Sequence, residues 1–198
     1  SVVLIISFLL VLNSSFTTAD NKFKGEYYQL TIYHIKSAEQ IAVTNAYLKS
    51  TYLPALHKMG LKNIGVFNSI DNDTAVDKKI YLLIPFPSLQ KYEAFISALT
   101  AGTLLQNDTS AYSNAAFNKM PLERVETALL KAFPDMLKLK IPALTAPKAD
   151  RIYELRSYEG PTEKLYRQKV KMFNEGGEVG LFDRLKFNAV FYSEVISG

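Results

Sequence analysis

The chain has 198 residues, of which 48% are hydrophobic, 12% aromatic and 21% charged, and this composition is typical of a packed globular protein. It contains no cysteine, which excludes disulfides, thiol nucleophiles and cysteine-ligated metal sites. The net charge is +4 without a block of like charges, so we predict no nucleic-acid partner. Because H-E-x-x-H, P-loop and G-x-S-x-G motifs are also absent, we predict no metal and no cofactor.

An apolar run, Ser1–Leu12, opens the sequence. It is shorter than the roughly 20 residues that span a bilayer. A polar stretch follows, and the small residues Thr17–Ala19 are typical of a signal-peptide cleavage site. We therefore predict a partial signal peptide over residues 1–19, export to the periplasm or the extracellular space, and a mature protein without a transmembrane helix. A buried strand or helix is the alternative interpretation of this run.

The next segment, residues 20–140, has the alternating pattern of a ferredoxin-like repeat. Capping residues Ser37 and Ser88 precede two helical stretches, and Pro54 is expected to kink the first of them or to start a new segment. Short runs of aromatic and β-branched residues predict the strands. The resulting order is β-α-β-β-α-β. The predicted strands cover residues 27–34, 64–67, 79–84 and 123–133, and the predicted helices cover residues 37–59 and 88–99.

A second copy of this pattern follows a predicted linker over residues 141–150. Tyr28–Tyr33 and Tyr153–Tyr158 share the form Tyr-[Gln/Glu]-Leu-x-x-Tyr. Each is followed by a helical stretch and by a strand ending in Val-Phe, which indicates an internal repeat. We therefore predict an α+β protein of two tandem ferredoxin-like repeats, with residues 151–198 as the N-terminal part of a truncated second repeat.

Three segments of the second copy are similar to the NIPSNAP domain: Arg151–Tyr158, Lys171–Glu178 and Leu181–Tyr192. The resemblance extends to Lys78–Phe86, as in exported bacterial members, whereas Lys186 replaces a glycine expected in that family. It implies a dimeric α+β barrel fold, in which two ferredoxin-like sheets face each other, here within one chain. It implies little about chemistry, because bacterial members generally have no assigned activity.

Alternation along the two matching strands sorts their side chains into two faces. Tyr28 and Leu30 are expected to pack on the helices. The polar side chains on the other face of both strands are expected to face the space between the two sheets. From that set we predict four ligand-pocket candidates: Tyr33, Glu154, Arg156 and Tyr158. Glu154 and Arg156 could instead pair with each other, the tyrosines could fill space, and His34 is interpreted as structural on the helix-packing face.

Two functions of different classes compete. The first is a non-catalytic protein of the cell envelope that binds a small-molecule ligand or acts as a scaffold, supported by the lack of a nucleophile–base or metal motif. The alternative is a cofactor-independent oxygenase or isomerase that uses the barrel interior, which rests on analogy of fold alone. Such an enzyme would need Tyr33, His34 or Arg156 in an enclosed apolar pocket. Self-association into a homodimer stays open as a third prediction.

Overall fold

The structure is a computed structural model and describes residues 23–198, so the predicted signal peptide lies outside the described residues. The described chain is α+β. Its strands are β1 Tyr27–Ile35, β2 Gly65–Asn68, β3 Lys78–Phe86, β4 Arg124–Ala132 and β5 Ser193–Ser197. Its α-helices are α1 Ala38–Tyr47, α2 Leu53–Lys58, α3 Leu89–Thr100, α4 Glu163–Asn174 and α5 Glu178–Arg184. Within this range, no helix combines the length and the apolar character that crossing a bilayer requires.

The strands form one antiparallel sheet in the order β2-β3-β1-β4-β5. β1 is central and pairs along its length with both β3 and β4, so that Leu30 lies opposite Leu83 on one side and Ala128 on the other. The strand predicted for residues 123–133 is confirmed as β4. The first four strands and the helices between them follow the predicted order along the chain.

Local signals fix the helix boundaries. The Ser37 hydroxyl accepts a hydrogen bond from the backbone N–H of Gln40 at 3.2 Å, and Ser88 caps α3 in the same way. A π-helical turn, Leu48–Tyr52, separates α1 from α2. Pro54 follows in the first turn of α2, where its missing N–H prevents a regular continuation of α1. The predicted interruption at Pro54 is therefore confirmed.

One face of the sheet packs against α1, α2 and α3. β1 contributes its odd-numbered residues Tyr27, Tyr33 and Ile35 to this core. By alternation Gln29 and Thr31 share that face, and the Gln29 amide donates a hydrogen bond to the Thr31 hydroxyl at 3.0 Å. The other fully buried members of this core come from the helical segments, from the chain just after α2 and from β3: Leu48, Leu56, Leu61, Ile80, Leu82, Ile84, Phe86 and Phe95.

The opposite face carries Tyr28 and Leu30, so the predicted assignment of the two faces was wrong. Tyr28 is fully buried in a second cluster with Leu83, Leu130 and Ala132. Leu30 and Phe191 pack against the same cluster. Alternation separates two sets of side chains correctly, but here both sides of β1 are covered by protein. Each side therefore accepts large apolar residues, and the pattern alone does not identify the helix side.

Residues 151–198 cover that second face in a way that differs from the prediction. Arg151–Tyr158 lies outside the regular elements and does not form the predicted strand. Its Tyr153 ring packs on Phe67 of β2, with ring centroids 5.0 Å apart, so side-chain packing holds the segment instead of backbone pairing. β5 follows the predicted Val190–Phe191 strand end and pairs with β4, which extends the first sheet.

Lys186 has a φ of 62°, in the left-handed region that favours glycine. It follows α5, and its N–H donates to the carbonyl of Asp183 at 3.0 Å. The turn that the resemblance places at this position therefore forms with a lysine, and the strained backbone is tolerated at the end of a helix.

Candidate ligand site

A cavity of about 460 Å³ lies between the second face of the sheet and residues 142–195. Leu30 of β1 and Leu130 of β4 form its floor, while α4, α5 and the segments beside them form its walls. Its volume falls within the range of about 300–1,000 Å³ that is usual for small-molecule sites. Most of the lining is apolar or aromatic. The aromatic lining residues are Phe133, Tyr153, Tyr158, Tyr166, Phe173, Phe182, Phe187, Phe191 and Tyr192.

Helix α4 positions one wall because it is amphipathic. Thr162 caps its N-terminus by accepting a hydrogen bond from the backbone N–H of Leu165 at 3.3 Å. Tyr166, Lys169 and Phe173 then recur at spacings of three and four residues and line the cavity. The Tyr166 hydroxyl donates to the carbonyl of Val195 at 3.0 Å and so ties the helix to β5.

Three of the four predicted pocket residues line this cavity: Glu154, Arg156 and Tyr158. Arg156 donates to both carboxylate oxygens of Glu154, from Nε at 2.9 Å and from Nη2 at 3.0 Å. This bidentate contact lowers the pKa of Glu154 and raises that of Arg156. The guanidinium also lies 5.7 Å from the centroid of the Phe187 ring. The structure therefore has the internal pairing that the sequence left open as an alternative.

Tyr33, the fourth predicted residue, lies on the helix side of the sheet, away from the cavity. It belongs to a group of tyrosines with Tyr47, Tyr52 and Tyr112. The Tyr47 ring stacks on Tyr112 with centroids 4.1 Å apart and on Tyr52 at 5.6 Å. Desolvation, followed by the neighbouring hydroxyls, raises the pKa of Tyr33, and burial raises that of Tyr112 to about 12. Tyr33 is a core residue, which corrects its predicted place in the pocket.

His34 lies on the face opposite the helices, which corrects its predicted face. It is only 8% exposed. Its Nδ1 lies 3.0 Å from both oxygens of Asp77, and its Nε2 lies 3.5 Å from Glu126 Oε2 and 3.4 Å from a guanidinium nitrogen of Arg124. Arg124 in turn pairs with Glu126, and Lys79 lies 3.5 Å from Asp77. This network crosses the ends of β1, β3 and β4, and it lies outside the cavity lining.

Replacing Asp77 by Asn is expected to reduce the decrease in the free energy of unfolding between neutral and acid pH. Desolvation acts to raise the pKa of Asp77, but the hydrogen bond and charge of His34, with Lys79, lower it overall. A lowered folded-state pKa contributes stability above the unfolded value of about 3.9, and that stability is lost as the pH falls through the folded value. Since Asp77 is 52% exposed, we expect an effect of about 1 kcal/mol.

Urea unfolding of both proteins between neutral and acid pH measures this difference. Asp73→Asn, in the neighbouring turn, is the matched control and should leave the pH profile unchanged. A profile for Asp77→Asn that is parallel to the wild-type profile would contradict the assignment.

Lys169 is the cavity residue that the sequence analysis missed. Its ammonium lies 4.6 Å from the Tyr158 ring centroid and 4.9 Å from that of Phe173, which are cation–π distances. Glu178 Oε2 lies 3.6 Å from the same nitrogen. The helical spacing of Tyr166, Lys169 and Phe173 is a signal in the sequence that could have placed Lys169 beside the Phe173 ring, whereas Tyr158 lies outside α4.

The part of the chain that the structure describes contains no cluster of three or more His, Asp or Glu side chains suited to a metal ion. No protein-family model matches the chain, and no curated protein matches it. The cavity and its polar groups therefore define the site by themselves: a largely apolar space, rich in aromatic rings, with an ion pair at Glu154–Arg156 and a half-buried ammonium at Lys169.

Proposed function

We propose that this protein binds a small apolar molecule between its sheet and its C-terminal segment and performs no chemistry on it. The observation that carries this proposal is the cavity of about 460 Å³ with its predominantly apolar lining, which includes many aromatic rings. Flat rings provide a large apolar contact area with few rotatable bonds, so a bound molecule gains hydrophobic contact at a small cost in side-chain entropy.

We further propose that the chain is a NIPSNAP-type protein built from two ferredoxin-like repeats and exported to the periplasm or the extracellular space. The strand order β2-β3-β1-β4 supports a ferredoxin-like first repeat. The second repeat is supported by the sequence match between Tyr28–Tyr33 and Tyr153–Tyr158 alone, because the latter segment is not a strand in the structure. A scaffold role and association into a homodimer are both compatible with this proposal, because a protein that binds a ligand can also contact a partner.

The alternative of a cofactor-independent oxygenase or isomerase has less support. It needs Tyr33, His34 or Arg156 as a reactive group inside an enclosed apolar pocket. Tyr33 is in the helix-side core, His34 is held between Asp77 and Glu126, and Arg156 is paired with Glu154. With each of these groups engaged by the protein itself, the cavity lining favours binding.

A titration with dodecanoate, measured by displacement of a fluorescent apolar probe, tests the binding function. Filling the cavity with Ala189→Phe is expected to weaken binding about tenfold, because the larger side chain occupies space that the ligand needs. Ala149→Phe makes the same change at an exposed position outside the lining and should bind as the wild type does.

No saturable binding to the wild-type protein would refute the proposal. Equal binding by the wild type and Ala189→Phe would place the ligand elsewhere. In that case a structural or interaction module would be the better interpretation of the fold.

A further inference from the structure

Lys169 is a charged residue of the cavity wall whose ammonium makes no hydrogen bond to the described residues. Its side chain is 31% exposed, and two aromatic rings, those of Tyr158 and Phe173, hold its ammonium in place. The two cation–π contacts restrict the long side chain before any ligand arrives. The lysine therefore presents a positioned donor at the edge of an apolar space.

The charges around the cavity single out this lysine. Of the other charged lining residues, Arg156 is engaged bidentately by Glu154, and Glu194 lies 3.5 Å from the ammonium of Lys131. The nearest partner of Lys169, Glu178 Oε2, lies 3.6 Å away, which is longer than a hydrogen bond. That oxygen is buried and, among the described residues, has no hydrogen-bond partner. The ion pair is therefore electrostatic only, and the N–H donors of Lys169 are available to another acceptor.

Resting on the proposed binding function, we propose that the ligand is an apolar carboxylic acid whose carboxylate is bound by Lys169 while its hydrocarbon part fills the aromatic cavity. A cationic ligand would be repelled by the ammonium. A neutral acceptor such as an ester would bind less tightly, because it accepts a hydrogen bond from the ammonium but lacks the Coulomb attraction of a negative charge. The buried Glu178 oxygen, 3.6 Å from the ammonium, partly offsets the charge of the lysine in the unoccupied site.

The test compares dodecanoate with its methyl ester, which have the same hydrocarbon chain and differ in head-group charge. The wild-type protein is expected to prefer the acid about tenfold. Lys169→Met keeps an unbranched apolar stem over the two rings and removes the charge, so the preference should fall close to onefold. Affinity for the ester should stay within about twofold of wild type, which shows that the variant is folded and its cavity intact.

Lys171→Met is the matched control, because Lys171 is on the same helix but exposed and paired with Glu175 at 3.3 Å. It should keep the preference for the acid. Loss of the preference in Lys171→Met would show a general charge effect and overturn the proposal, as would an undiminished preference in Lys169→Met. Tight but equal binding of acid and ester by the wild type refutes the carboxylate site alone. Binding of neither molecule refutes the cavity function itself.

Discussion

Replacing Phe173 by Ala is expected to lower the free energy of unfolding by about 3–5 kcal/mol. Phe173 is 5% exposed and packs α4 against aromatic residues of other segments. Its ring centroid lies between 5.4 and 6.4 Å from four others, those of Phe133, Tyr158, Phe182 and Tyr192. Removing it leaves a void in a cluster whose members come from four different segments and so cannot all move in to fill it.

Chemical denaturation followed by circular dichroism measures this loss. Phe187→Ala is the matched control, because Phe187 is an aromatic residue of the same cavity wall that is 49% exposed. We expect it to cost about 1 kcal/mol or less. Equal losses in the two variants would show that the cluster around Phe173 is not packed as a core. Because Phe173 also supports the Lys169 ammonium, its loss should weaken ligand binding as well.

The second large effect is a loss of stability at alkaline pH that originates in the tyrosine group on the helix side. Desolvation by burial, with a further contribution from Tyr112, raises the pKa of Tyr52 to about 12. Burial raises the pKa of Tyr112 to the same value, and those of Tyr33 and Tyr47 are raised as well. Four hydroxyls that resist ionisation in one core make the folded state sensitive to high pH.

The sign of this pH dependence follows from the difference in tyrosine pKa between the folded and the unfolded state. A tyrosine that ionises near 10 when unfolded and near 12 when folded contributes its full stability below pH 10. That stability is lost as the pH rises towards 12, because only the unfolded chain releases the proton in this interval. Tyr52 alone should account for a loss on the order of 2 kcal/mol.

Ultraviolet titration of tyrosinate in the folded protein, together with urea unfolding at several alkaline pH values, tests this expectation. Tyr52→Phe removes one of the titrating groups and should reduce the dependence of stability on pH. Tyr153→Phe changes a more exposed tyrosine on the other face and serves as the control. Ionisation of all tyrosines near pH 10 in the native state would contradict the buried arrangement.

Much of the first 140 residues could be predicted from local sequence. Ser37 and Ser88 marked the two helix starts, and Pro54 marked the interruption after α1. β1 and β3 were visible because β-branched and aromatic residues fill them, and β4 was placed within one residue at each end. These features depend on backbone geometry and on neighbours within a few residues, which the sequence carries directly.

The location of the site depended on contacts that local patterns do not encode. The motif shared by Tyr28–Tyr33 and Tyr153–Tyr158 predicted two equivalent strands. Within residues 23–198, however, the second copy pairs with no strand and is held by side chains. A strand needs hydrogen-bonding partners from elsewhere in the chain, whereas its sequence preference is local. The same limit explains Lys169, which belongs to the site because Tyr158, distant from it along the chain, lies beside it.

The sequence by itself determined the α+β class and the elements from β1 to β4. It also determined the proximity of Glu154 to Arg156, because two residues separated by one position share a side of an extended segment. Only the tertiary structure decided which face of β1 meets the helices. That choice depends on what covers each face, and here the helices bury Tyr33 while the C-terminal segment buries Tyr28. The cavity, its floor at Leu30 and its cation at Lys169 all follow from that arrangement.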